Sequence, residues 1–229
     1  MHKHVGAAIG AVGIWTLPAA AIASRPVAGL LGMQTHLEDR RSIALTFDDG
    51  PHPEGTPTVL DALARLGIPA TFFLTGEQVL RYPALAREIA ERGHAIGVHG
   101  HLHRLLTVRT PSASAADVRL ACAVIEDATA AKPRLYRPPY GAANPAALLT
   151  ARRAGLRPVL WARWGRDWES RANPASVAQN ATRDLRGGEI LLLHDADHYA
   201  AHGSWRATAA ALPEIAAVVA RAGLSFQAL

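Results

Sequence analysis

The stretch Ile43-Ala44-Leu45-Thr46-Phe47-Asp48-Asp49-Gly50-Pro51 sets the reading of the whole chain. Its first five residues are apolar or β-branched and short enough for a strand buried on both faces. Two acids and a Gly-Pro turn then stop it. Asp-Gly-Pro is by itself a turn signal, so the doublet needs partners elsewhere before it counts as a site.

Similar β-rich runs recur outward from this one, at Thr71–Thr75, Ala95–His99, Leu135–Arg137, Pro158–Trp161, Ile190–His194 and Leu224–Ala228. Between them, apolar residues return at helical spacing in Thr58–Leu66, Ala84–Arg92, Ala115–Ala130, Pro145–Ala154, Pro174–Leu185 and Ala207–Ala222. Gly67, Gly93, Gly155, Gly187 and Gly223 stand where helix C-termini are expected. Strand and helix in alternation predict an α/β fold with a parallel sheet covered by helices, open or closed into a barrel. The chain has no repeat, low-complexity tract or long linker, so a single domain is expected.

Composition narrows the function. The 229 residues are 49% hydrophobic and 19% charged, enough for one sizeable core. The lone Cys122 excludes an internal disulfide framework and reads as a buried structural thiol. The net charge of +5 comes from scattered arginines without a basic run, so no nucleic-acid partner is expected. Gly-x-Gly-x-x-Gly, Gly-Lys-Ser/Thr and Gly-x-Ser-x-Gly are all missing, which argues against nucleotide binding and against a serine hydrolase.

Residues 1–34 form a separate leading segment. Val5 to Ser24 is uncharged, and Ala21-Ile22-Ala23 matches a small-x-small cleavage pattern. A signal peptide, a membrane anchor and a leading apolar helix are the three readings, with Pro18 and the single Lys3 weighing against the first two. The expectation is a secreted or membrane-associated extracytoplasmic protein, possible association with membrane or cell wall running through this segment; a cytoplasmic place is the alternative. Oligomeric state has no signature.

Chemistry in parallel α/β folds sits at the carboxyl ends of strands, and the polar residues collect there. They are Asp48-Asp49, His99 with His103, Arg137-Pro138-Pro139-Tyr140-Gly141, Asp167-Trp168 and His194-Asp195. Two imidazoles at i and i+4 with one carboxylate make a three-ligand site with open positions. Such a set suits zinc, with cobalt, manganese or nickel as alternatives. His101 is an alternative ligand expected to point away, and His94 and His202 read as structural. Side chains alternate along an extended segment, so Asp48 and Asp49 are not expected to face one point identically. One can then bind a metal while the other stands beside it as a general base. His194, oriented by Asp167, is the candidate acid, and Arg137 pairs with a carboxylate of the first motif.

These five segments, in this order, resemble the motifs of the NodB-type polysaccharide deacetylases (carbohydrate esterase family four), over about residues 42 to 229. The resemblance implies a distorted (β/α)7 barrel of NodB-homology type, with residues 35–229 as catalytic domain. It implies metal-dependent removal of acetyl groups from an N-acetylated polysaccharide such as peptidoglycan or chitin, or from an O-acetylated one. Asp48 is then the base; Asp49, His99 and His103 the metal ligands; Arg137 the residue that positions Asp48. Asp167 tunes His194, the acid. The Tyr140 amide stabilises the oxyanion, and Trp168 and Leu192 line the acetyl pocket. Pro138 and Trp164 are further candidate substrate contacts, with plain packing as the equal alternative for Trp164.

Two positions depart from the family pattern. Gly100 replaces a usual Ser or Thr, which removes a loop-bracing hydroxyl. Trp164 replaces a frequent aspartate, and Arg163, Trp164 and Arg166 are expected to reshape the groove. The segment Asp197-His198-Tyr199 to Trp205 forms either a substrate wall or a surface loop. Competing readings are a metal-dependent amidase on a small amide and a non-catalytic carbohydrate-binding module. Retention of both aspartates and both histidines weighs against the latter.

Overall fold

The computed structural model describes residues 16–22 and 24–229. Most of the expected leader, residues 1–15, and Ala23 of its cleavage pattern therefore lie outside the described residues. No described helix is long and apolar enough to cross a membrane.

One curled parallel sheet organises the domain. Its strands are β1 (Ser42–Asp48), β2 (Thr71–Leu74), β3 (Ala95–Val98), β4 (Leu135–Tyr136), β5 (Arg157–Pro158), β6 (Arg163–Trp164) and β7 (Ile190–His194). Their order is β5-β4-β3-β2-β1-β7-β6, every neighbour parallel. β1 is central and buried along its whole length, which is why its sequence is continuously apolar rather than alternating. The edge strands β5 and β6 follow one another in the chain. Residues 159–162 bridge them: Val159 N–H donates to Tyr136 O at 2.8 Å, and Ala162 N–H to Ile190 O at 2.9 Å. The barrel is thus closed by a short piece of chain and not by a hydrogen-bonded ladder. This is the expected distorted (β/α)7 barrel in a single domain.

One stave differs from the sequence reading. Leu224–Ala228 contributes only Ser225–Phe226 (β8), which pairs with Ser42 and Ile43 at the start of β1, off the main path. The seventh stave is instead Arg163–Trp164. Two residues, one charged and one aromatic, offer no periodicity to detect.

Helices wrap the outside, and several start on proline behind a polar cap. The Thr110, Asn144 and Asn173 side chains accept from Ala113, Ala147 and Ser176 N–H, each ahead of a proline at the first helical position. These caps explain why Pro111–Thr129 begins earlier than its apolar spacing predicts. The helix after Pro174 stops at Thr182, so Gly187 is no helix cap. Its Cα lies against the Arg40 carbonyl, where a Cβ has no room. A helix absent from the sequence reading, Gly76–Arg81, follows β2 directly.

Ala28 and Met33 are buried in the main core, and Gln34 bridges to Val159. Cys122 is partly rather than fully buried, and that burial raises its thiol pKa.

Candidate active site

The carboxyl end of β1 delivers both aspartates to one place. Asp48 ends the strand, and Asp49 follows with a φ of 78°, a left-handed conformation that turns its carboxylate back beside that of Asp48. The expectation from simple alternation fails here because the backbone leaves the extended state at Asp49.

Arg137, fully buried beneath them, fixes Asp48. Its Nη1 donates to Asp48 Oδ1 at 2.6 Å and to Thr46 Oγ1 at 2.8 Å, while Nη2 donates to Leu160 O at 3.1 Å. The guanidinium lies 4.0 Å from the Phe73 ring centroid. Burial lowers the Arg137 pKa, and the Asp48 charge opposes that shift. Asp48 Oδ2 faces His99 Nε2 at 3.7 Å.

Asp49 Oδ1 lies 3.3 Å from both His99 Nε2 and His103 Nε2. The three ligand atoms fall within 4.8 Å of one another, and Asp49 Oδ1 is buried without a hydrogen-bond partner. His99 Nδ1 donates to Arg137 O at 2.8 Å, so in the neutral ring Nε2 offers its lone pair to the cluster. A buried, unpartnered carboxylate oxygen between two imidazole nitrogens fits a divalent cation. Burial pushes the Asp49 pKa up, but His99, His194 and His103 outweigh it and hold the carboxyl far below its ordinary value. Burial drives His103 down to about 4. The same burial opposes a proton on His99, yet Asp48 and Asp49 raise its pKa overall. His101 stays outside this group, its ring against Gly76.

His194 closes β7 on the opposite side. Its Nδ1 donates to Asp167 Oδ1 at 2.9 Å, and Asp167 Oδ2 accepts from His194 N–H at 2.6 Å and Thr208 Oγ1 at 2.7 Å. Burial disfavours the imidazolium, but Asp167 more than offsets it, with Asp49 and Asp48 adding, and raises the pKa to about 10. Nε2 faces Asp49 Oδ2 at 3.9 Å.

These groups share one cleft of about 290 Å³. One wall carries His103 with Tyr140 and Tyr199; the other carries Trp161, Trp164 and Trp168, with Leu192 at the base. Tyr140 has a φ of 57°, and the two bonds of its turn run from Gly141 N–H to Pro138 O and from Ala142 N–H to Pro139 O. Its own amide takes no part in that turn. Pro138, expected to contact substrate, is buried and does not line the cleft.

The chain matches the family model described as polysaccharide deacetylase over residues 37–159. It belongs to the polysaccharide deacetylase family. A peptidoglycan-N-acetylglucosamine deacetylase of Bacillus cereus is 36% identical over 166 residues, covering 69% of this chain and 74% of the relative. A chitooligosaccharide deacetylase of Bradyrhizobium is 39% identical over 156 residues, 68% of this chain and 71% of the relative. The crystal structure of the Bc1960 peptidoglycan N-acetylglucosamine deacetylase superposes with a TM-score of 0.79 at 27% identity, over 86% of this chain and 90% of that one.

Within this deacetylase family the departures have structural answers. Gly100 has a φ of 82°, and a Cβ there would meet Asp117 Oδ2 at 2.9 Å. That carboxylate instead accepts from His101 N–H at 2.8 Å and, through Oδ1, from Leu102 N–H at 3.2 Å. Asp117, from the helix Pro111–Thr129, thus braces the loop that carries His103. A lone acid on the buried face of an apolar helix was the available signal for it. Arg163 and Arg166 do not shape the groove: Arg163 pairs with Glu189 at 3.0 Å and Arg166 with Glu169 at 2.6 Å.

Tyr199 belongs to the segment 197–205 and is part of the wall. Its ring stacks on His103 with centroids 4.3 Å apart and planes at 14°, and its hydroxyl donates to Glu77 Oε1 at 2.5 Å. Two histidines pin this loop. His198 Nε2 donates to Pro51 O at 3.2 Å, and His52 Nε2 lies 3.0 Å from Asp197 Oδ1. His52, Asp197 and His198 are close enough together to suggest a second cation site. However, His52 Nδ1 accepts from Glu54 and Gly55 N–H, so Nε2 carries the proton and donates to Asp197. That ring is a hydrogen-bonded pin.

Proposed function

We propose that the protein is a metal-dependent hydrolase that removes acetyl groups from N-acetylglucosamine units of a glycan of the peptidoglycan or chitin type. The observation that carries this reading is the arrangement around one cleft: the Asp49, His99 and His103 cluster, with Asp48 on Arg137 at one side and His194 on Asp167 at the other. Zinc is the ion proposed for Asp49, His99 and His103, since two imidazoles and a carboxylate match its preferences. A cation bound there supplies Lewis-acid polarisation of the acyl oxygen and lowers the pKa of a water.

The residues of the chain do the rest. Arg137 keeps Oδ1 of Asp48 occupied, so Oδ2 takes the proton of the attacking water. The Tyr140 amide faces the developing oxyanion. His194, protonated at Nε2, gives that proton to the leaving amine nitrogen. Trp168 and Leu192 exclude water around the acetyl methyl. The catalytic unit in this reading is residues 35–229 together with residues 25–34, which pack on them, and the glycan substrate places its work at the cell envelope.

The test is acetate release from N-acetylglucosamine oligomers, peptidoglycan fragments and acetylated xylan by zinc-, cobalt-, manganese- or nickel-loaded protein, with a chelator control. Chelator-sensitive acetate from a glucosamine polymer is expected. Acetate from xylan alone would move the reading to an esterase. Metal binding without acetate from any of the three would move it to an amidase on a small amide.

Asp167→Asn removes the carboxylate that raises the His194 pKa. A fall in kcat of about 10²-fold is expected. His194 acts in its protonated form, so a lower pKa shifts the alkaline limb of the kcat profile to lower pH. An alkaline limb that stays in place would remove His194 from the acid role.

A further inference from the structure

We propose that the indole of Trp164 is a stacking platform for a second pyranose ring of the glycan, adjacent to the sugar whose acetamide enters the cleft; this rests on the deacetylase reading above. Trp164 ends β6, whose pairing with β7 sets it opposite Leu192 at the base of the cleft. Its ring is held by two others, Trp161 at 5.9 Å and Trp168 edge-on at 5.5 Å, and Trp168 in turn meets the His194 ring at 5.6 Å. Three indoles therefore run as one row from the proton donor to the rim. Trp161 and Trp168 are half-buried, but Trp164 is 40% exposed.

An indole held by its neighbours and left open to water offers a flat apolar surface at fixed orientation, at little further entropic cost to a ligand. A β-linked pyranose matches it, with axial C–H groups forming an apolar face and equatorial hydroxyls a polar edge. Charge selects the same occupant. The two arginines nearest Trp164 in the chain pair with Glu189 and Glu169, so neither is left unpaired to ask for an anionic group. A neutral sugar is the ligand that this surface takes, and its place is one ring along the chain from the acetamide being cleaved.

Zinc-loaded full-length protein would be compared with Trp164→Ala and Trp164→Phe on N-acetylglucosamine and its β-1,4-linked tetramer, by steady-state acetate release and by calorimetric titration of the tetramer. In Trp164→Ala, kcat/KM for the tetramer is expected to fall about tenfold, mostly through KM, while the monomer loses far less. Trp164→Phe recovers most of the loss. Equal losses on monomer and tetramer, or a phenylalanine variant no better than alanine, would overturn the platform. If Trp164→Ala does not fold, Trp164→Leu, which keeps bulk without a ring, takes its place. If the wild type releases no acetate from either glycan, the deacetylase reading fails. Titration then still judges the platform, because a wild type that binds the tetramer no better than the alanine variant overturns it.

Discussion

Asp48→Asn is expected to lower kcat by about 10³-fold and to leave the cation bound at full stoichiometry. In the proposed mechanism the two neighbouring carboxylates divide the labour. Asp49 Oδ1 sits between the two imidazole nitrogens at 3.3 Å from each, whereas Asp48 Oδ1 is held by Arg137 at 2.6 Å. An amide at position 48 keeps the size of the side chain and one acceptor for the guanidinium, but it cannot take a proton from water. Metal content by elemental analysis and acetate release on the same preparation separate the two roles. Loss of metal together with activity would make Asp48 a ligand; full activity would remove it from the base role.

Arg137→Met is expected to have the largest effect on stability. Truncating one partner of a buried pair leaves the other charge unpaired, at a cost of about 3–5 kcal/mol. For a chain of this size that corresponds to a fall in Tm on the order of 10 °C. Arg137 is fully buried and also satisfies Thr46 Oγ1 and Leu160 O, so methionine leaves several groups stranded and not only Asp48. A double-mutant cycle isolates the charge. Arg137→Met with Asp48→Asn is expected to melt above Arg137→Met alone, because the uncompensated carboxylate is gone. Strictly additive losses would show that packing, and not the ion pair, carries the effect.

The site was largely legible because each strand end spends its polar residues on the same face of the barrel, so the motif order in the chain maps onto a ring in space. What escaped has physical reasons. Arg163–Trp164 is too short for any period to mark it as a stave. Pro138 stands in the same motif as Tyr140, which lines the cleft, but its own side chain is buried. Its carbonyl, not its ring, takes part in the turn, accepting from Gly141 N–H. Tyr199 reaches His103 only because His52 and His198 fasten a distant loop, a contact with no local signature. Asp117 left a faint one, a single acid on the same helical face as the buried Val118 and Ala121.

The short run that joins β5 to β6 gives the barrel a seam. Residues 160 and 161 belong to no strand, and the strands they connect do not pair with each other. Adding or deleting a residue there leaves every ladder in register, because register is fixed between paired strands. It would nevertheless displace Trp161, which belongs to the run itself and lines the cleft, while Trp164 keeps its place opposite Leu192. One wall of the cleft can thereby be altered at Trp161 alone, while the ends of β1 and β7 that carry Asp48 and His194 stay anchored to each other.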